Sequence, residues 1–161
     1  MGRIAAHKSF LNLTQQRATL GEHPAKTEKG LWAVTGMVAE FSGLQCRPEV
    51  QAIEANVQAR AFFSLIRETH DRHGYDYLDA SVMPALPSVP STFGGVSGGG
   101  LWEVSLSMTR SGHIAWDGKR HFRGVAFWES PVADGRRVIR CHGPRSTLET
   151  AWKAWALPEG A

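Results

Sequence analysis

The chain has 161 residues, 42% of them hydrophobic and 20% charged, with a formal net charge of +3. That is the size and composition of one globular domain, with a core large enough to fold without a metal or disulfide staple. No apolar run approaches the roughly 20 residues that span a bilayer, and no signal-like apolar stretch follows the basic start Met1 to Lys8. A cytoplasmic or virion location, with no membrane partner, is therefore expected.

Residues 1–29 are polar and weakly patterned, with Phe10, Leu11 and Leu13 as their apolar cluster, and read as a flexible N-terminal arm carrying one short strand. Residues 30–161 then read as a single α+β domain. Leu31 to Phe41 is apolar at nearly every position between Gly30 and Gly43, which predicts a buried strand with a bulge at Gly36. From Pro48 to His73, Val50, Ile53, Val57, Ala61 and Leu65 recur at helical spacing, Pro48 suits a first turn and Gly74 a terminus. A long central helix is expected there. Residues 75–100 are rich in proline and glycine and read as a long loop, a flexible hinge or a segment ordered on assembly.

From Leu101 the period changes to two. Trp102, Val104, Leu106 and Met108 alternate with polar residues, as in a half-buried strand. Further strands are expected near His113 to Trp116, over Phe122 to Glu129 and over Arg136 to Cys141, with turns at Asp117-Gly118 and Asp134-Gly135. Ser146-Thr147-Leu148-Glu149 matches a capping box, and Leu148, Trp152 and Trp155 form one stripe of a closing helix. The expected fold is an α+β two-layer sandwich: a mainly antiparallel sheet, with the long central helix and the C-terminal helix packed on one face.

The positive charge is concentrated late in the chain. Residues 101–145 hold eight Arg or Lys against four Asp or Glu, an excess larger than the whole chain's +3. Arginine outnumbers lysine 13 to five, and guanidinium suits bidentate phosphate contacts and stacking on rings. Lys119, Arg120, His121 and Arg123 precede one strand, while Arg136, Arg137 and Arg140 surround the next and Arg145 follows. A hairpin that gathered them beside Trp116 or Trp128 would suit a polyanion with stackable bases. The plain alternative is that the arginines solvate an exposed face and the tryptophans, Trp102, Trp152 and Trp155 among them, fill the core.

Other chemistry is weakly signalled. Gly94-Gly95-x-x-Gly98-Gly99-Gly100 precedes a strand and lacks the Lys-Ser or Lys-Thr of a phosphate loop. His70, Asp71, His73, Asp76 and Asp79 crowd together without a recognised ligand spacing, so no metal and no cofactor is expected. Cys46 and Cys141 lack zinc spacing and read as reduced structural residues. Cys141 and His142, adjacent on a strand, would face opposite ways, whereas His113, His121 and His142 could converge across the meander. The leading function is a small nucleic-acid-binding protein that uses a basic, aromatic β-meander. A non-enzymatic structural or assembly subunit of a phage-like particle or larger complex, homo-oligomeric or with other protein partners, is the alternative, and a small acid-base enzyme the third.

Overall fold

The computed structural model describes residues 11–26, 30–47, 49, 52–56, 58–82 and 89–155. Its elements in chain order are a short helix α1 (Leu13–Thr19), strands β1 (Leu31–Met37), β2 (Gly43–Arg47), β3 (Ala52–Asn56), β4 (Ala59–Arg72), β5 (Tyr75–Val82), β6 (Gly100–Met108), β7 (Ile114–Glu129) and β8 (Arg137–His142), and a π-helical turn at Ser146–Thr150 that runs into helix α2 (Ala151–Trp155). Six strands close into an antiparallel barrel in the order β1-β4-β5-β8-β7-β6, and β2 pairs with β3 as a separate hairpin.

The barrel is built on alternation. Trp32 and Val34 of β1 face inward, opposite Ser64 and Phe62 of β4 on one side and Glu103 and Leu101 of β6 on the other. Leu78 and Ala80 of β5 meet Cys141 and Ile139 of β8, and Ala126 of β7 joins them in the core. Six strands enclose a space that side chains fill, and each large apolar residue buried there contributes about 1.5–3 kcal/mol. The Cys141 thiol lies within this core, where burial, reinforced by the Asp79 carboxylate, pushes its pKa up to about 12. Its neighbour His142 faces outward, so the two do not form a dyad.

The two-layer sandwich with a long central helix does not form. The segment expected as helix from Pro48 to His73 instead contributes β3 and β4. Apolar residues lie on both faces of β4: Phe62 and Ile66 pack in the core, while Phe63 and Leu65 are exposed outside. A strand apolar on both faces carries matches to a helical period as well as to alternation, and pairing with β1 and β5 along its length decides the outcome. Gly74 is not a helix terminus either. With His73 at φ 53° and Gly74 at φ 80°, the two residues make a tight hairpin turn between Arg72 and Tyr75. Val50 and Val57 lie outside the described residues.

The loop expected at 75–100 is also shorter, because Tyr75–Val82 is a strand of the barrel. Residues 83–88 lie outside the described residues, and the remainder is tied into the fold. Phe93 and Val96 are buried in the core, Gly98 N donates to the Ala126 carbonyl, and Ala126 N donates to that of Gly99. A Cβ at Gly99 would collide with the Thr35 carbonyl, so the glycine permits this close approach. The glycine run is a packed plug at one barrel end.

Elsewhere the reading is closer. β1 and β6 lie where the apolar run and the period-two pattern place them, and Asp134-Gly135 forms the expected turn with φ 51° and 68°. The strands expected near His113 and over Phe122 to Glu129 are one long bulged strand, β7. In the N-terminal segment Leu13–Thr19 is helical, capped by Asn12, whose side chain accepts from Gln15 N at 3.0 Å. The capping box at Ser146 is replaced by a distant partner. Asp76 accepts from Ser146 N at 2.6 Å and from Ser146 Oγ at 2.5 Å, docking the closing helical turn on β5. No helix among the described residues is long and apolar enough to cross a membrane.

Candidate nucleic-acid interface

The outer face of β5, β8 and β7 carries an aromatic and charged array. Register sets it: Tyr77 lies opposite His142, Asp79 opposite Arg140, and Arg140 opposite Trp128. Bulging between Ala126 and Trp128 places two large rings in succession on the outside, with Phe127 39% and Trp128 45% exposed. The His142 ring stacks on Phe127 at 4.4 Å between centroids and lies 5.1 Å from Tyr77. The Arg140 guanidinium sits 5.4 Å from the centroid of Trp128.

An ion-pair network fixes that guanidinium. Arg140 Nε and Nη2 donate to the two oxygens of Asp79 at 2.7 Å each, a bidentate contact of the strong kind. His70 Nε2 lies 3.0 Å from Asp79 Oδ2 and 3.4 Å from Glu68 Oε2. Burial alone would raise the Asp79 pKa; the hydrogen bonds from Arg140 and then His70 outweigh it and hold the carboxyl below its ordinary value. The hydrogen bond to Asp79 in turn raises Arg140.

A depressed folded-state pKa adds stability above the unfolded value of about 3.8, and that stability is lost as pH falls through the folded one. Asp79→Asn is thus expected to cost about 1.5–3 kcal/mol at neutral pH and progressively less in acid. Chemical denaturation of both proteins at neutral pH and at about pH 3 checks this, and an unchanged gap at both would refute it.

Glu68, His70 and Asp79 also bring three potential metal-ligand atoms within 4.8 Å of one another. Arg140 already engages both Asp79 oxygens, so a cation would have to displace a guanidinium. The chemistry of the cluster is that of a salt-bridged support for Arg140. His73, at the hairpin turn, takes no part in it.

The eight basic positions singled out above fall in six places. Lys119 and Arg120 are exposed on β7, with the Arg120 guanidinium 5.8 Å from the Trp102 ring, and the His121 ring lies 4.8 Å from that of His23. Arg123 is buried against Glu103, with Nε and Nη2 2.8 and 2.7 Å from Oε2. Arg137 donates to Glu129 Oε2 at 2.8 Å, and the same oxygen accepts Phe93 N, so this pair holds the glycine plug. Arg136 is exposed beyond the hairpin turn; Arg140 belongs to the aromatic face, and Arg145 pairs with Asp71.

Register keeps the two basic clusters apart. Arg120 lies eight residues along β7 from Trp128, the partner of Arg140, which is about 26 Å of strand. The three meander histidines are likewise separated. His113 sits at the β6–β7 turn, His121 opposite Glu103 and His142 opposite Val125.

Among the tryptophans whose side chains are described, Trp32 is the one fully buried in the core, while Trp102 is half-buried on the outer face and donates to Thr35 Oγ1 at 2.9 Å. Trp152 is half-buried, with Arg17 5.9 Å from its ring, and the side chains of Trp116 and Trp155 lie outside the described residues. Sequence reasoning found Trp128 and Arg140 but missed Tyr77, Phe127 and His142 as their neighbours. The alternation Tyr75-x-Tyr77-x-Asp79 was the available signal, hidden by reading that segment as loop.

The molecule is thus a six-stranded antiparallel barrel with an aromatic, arginine-bearing outer face. Comparison with protein-family models, with curated proteins and with solved structures finds no match to this chain.

Proposed function

We propose that the protein binds single-stranded nucleic acid across the outer face of β5, β8 and β7. The observation that carries this reading is Trp128, nearly half exposed, with a fixed guanidinium beside it and a second ring, Phe127, next in line. Base faces stack on such rings whatever the sequence, and only unpaired bases offer their faces. At least four of the eight basic residues, Arg123, Arg137, Arg140 and Arg145, are ion-paired with carboxylates of the protein, so stacking supplies much of the affinity and salt weakens it only moderately. Immobilised single-stranded DNA or RNA is expected to retain the protein at moderate salt, and a duplex of the same sequence to retain it poorly. Equal retention on both, or on neither, would remove the reading.

A second reading, a structural or assembly subunit, is favoured by a different surface. On the outer face of β4, β1 and β6, Phe63 is 65% exposed, with Leu65, Met37, Leu106 and Met108 also exposed. A groove of about 480 Å³ lined by Ala33, Ala61, Phe63 and Trp102 runs through it. Apolar patches of this kind mark contact surfaces. Light scattering across a concentration series reads this directly: self-association that Phe63→Ser abolishes supports it, and a monomer throughout argues against it.

A further inference from the structure

We infer that a gap in the barrel wall, between β4 and the end of β5, binds an amphipathic anion: an aliphatic chain that ends in a carboxylate or a phosphate. Strand lengths leave the gap. The β4–β5 register stops at Leu65 opposite Ser81, whereas β4 extends back to Ala59 with β1 as its partner among the described residues. A cavity of about 510 Å³ opens there, within the roughly 300–1,000 Å³ of small-molecule sites. Its wall is mostly apolar, with Phe62, Phe63, Leu65, Val82 and Val89 along it. The charge on that wall has one sign: Arg60, Arg67 and Arg136 line the cavity, and among the described residues no Asp or Glu does. Nor does any of the three form a salt bridge among those residues, unlike Arg123, Arg137, Arg140 and Arg145. Arg60 Nη2 donates to the neutral Gln58 Oε1 at 3.0 Å and its guanidinium lies 3.9 Å from the centre of the Phe41 ring, contacts that orient the charge without neutralising it. Glu68, next to Arg67 in sequence, turns to His70 instead, with Oε2 3.4 Å from Nε2. Uncompensated guanidiniums on low-dielectric walls focus positive potential in a cleft, and their forked donors match carboxylate and phosphate oxygens.

An independent observation points the same way. Ser64, 5% exposed, lines the same cavity, and its Oγ is buried with no hydrogen-bond partner among the described residues. A hydroxyl left unmet in a buried place is costly, and it can donate to an anionic oxygen. Register puts Ser64 beside the Leu65–Ser81 pair and Arg136 beside the Val82–Arg137 pair that ends β5, with Arg67 two residues along β4 from Leu65. The head group therefore belongs near Ser64, between Arg67 and Arg136, and the chain against the apolar wall.

Trp128, Phe127, Tyr77, Arg140 and His142 take no part in this cavity, so the inference does not rest on the nucleic-acid reading. Isothermal titration with decanoate and, separately, with decyl phosphate reads the site. At least one of them is expected to bind saturably, one per chain, about tenfold or more tighter than decanol, which lacks the charge, and than acetate or inorganic phosphate, which lack the chain. The tighter of the two identifies the head group. Ser64→Ala, and Arg67→Gln together with Arg136→Gln, are each expected to weaken that ligand about tenfold without lowering the melting temperature, because the hydroxyl has no partner to lose and both arginines are exposed. No saturable binding, decanol binding as tightly as the anions, or an affinity unchanged in either variant would overturn the inference. Displacement of the bound anion by a single-stranded oligonucleotide would overturn it too, by assigning the groove to the nucleic-acid path.

Discussion

Glu103→Gln is expected to destabilise the protein by about 3–5 kcal/mol, the largest single effect among the charged residues. Glu103 and Arg123 have side chains 9% and 3% exposed, so removing the carboxylate leaves a guanidinium inside the barrel with no counter-charge. A protein of this size has about 5–15 kcal/mol of stability in total, and the loss corresponds to roughly 10 °C or more in melting temperature. The pair as a whole is worth much less than its halves suggest. Replacing both together, Glu103→Leu with Arg123→Met, removes the desolvation cost along with the attraction and is expected to recover most of the stability. Thermal melts of the single and double variants decide it: a single variant that melts with the wild type would mean that the charge is not buried. Arg123, one of the basic residues expected to contact nucleic acid, would then be free for that role, whereas a large loss assigns it to the barrel interior.

The second large effect concerns binding. Truncating Trp128 to Ala removes one stacking platform, which typically costs about 1–3 kcal/mol, or roughly fivefold to more than a hundredfold in affinity for a single-stranded oligonucleotide. Trp128 is 45% exposed, so the change disturbs the core little and the affinity can be read without a stability correction. Trp128→Phe, which keeps an aromatic face, is expected to retain most of the binding. Arg140→Ala is a less clean probe, because it also deprives the buried Asp79 of its main partner. Fluorescence anisotropy with one labelled oligonucleotide compares the variants; equal affinities for wild type and Trp128→Ala would count against the stacking role.

Some of this architecture was legible in the chain and some was not, for identifiable reasons. β1, β6, β8 and the Asp134-Gly135 turn could be read because each is specified locally, by alternation or by a dipeptide that favours positive φ. The β4 strand was misread as helix because Phe62 and Phe63, side by side, serve opposite faces of the sheet. His73-Gly74 added to the error, since a glycine that ends a helix also suits a tight hairpin. Closure was invisible for another reason: β1 meets β6 and β5 meets β8 across long stretches of chain, and no local pattern encodes such pairings.

The binding face shows the same division. Trp128 and Arg140 stood out by residue type, but their supports come from β4 and β5, with Asp79 61 residues from Arg140 in sequence. Charge density was the weaker guide. It marked Arg123, Arg137 and Arg145 alongside Arg140, and all four hold carboxylates of the protein's own.

Ultraviolet cross-linking of the protein to a single-stranded oligonucleotide, with the modified residues located by mass spectrometry, tests the binding face most directly. Adducts are expected at Trp128 and Phe127, with Tyr77 and His142 as their neighbours, and few elsewhere. Adducts confined to the β6–β7 hairpin around Lys119 and Arg120, or spread evenly over the surface, would contradict a nucleic-acid site on the outer face of β5, β8 and β7.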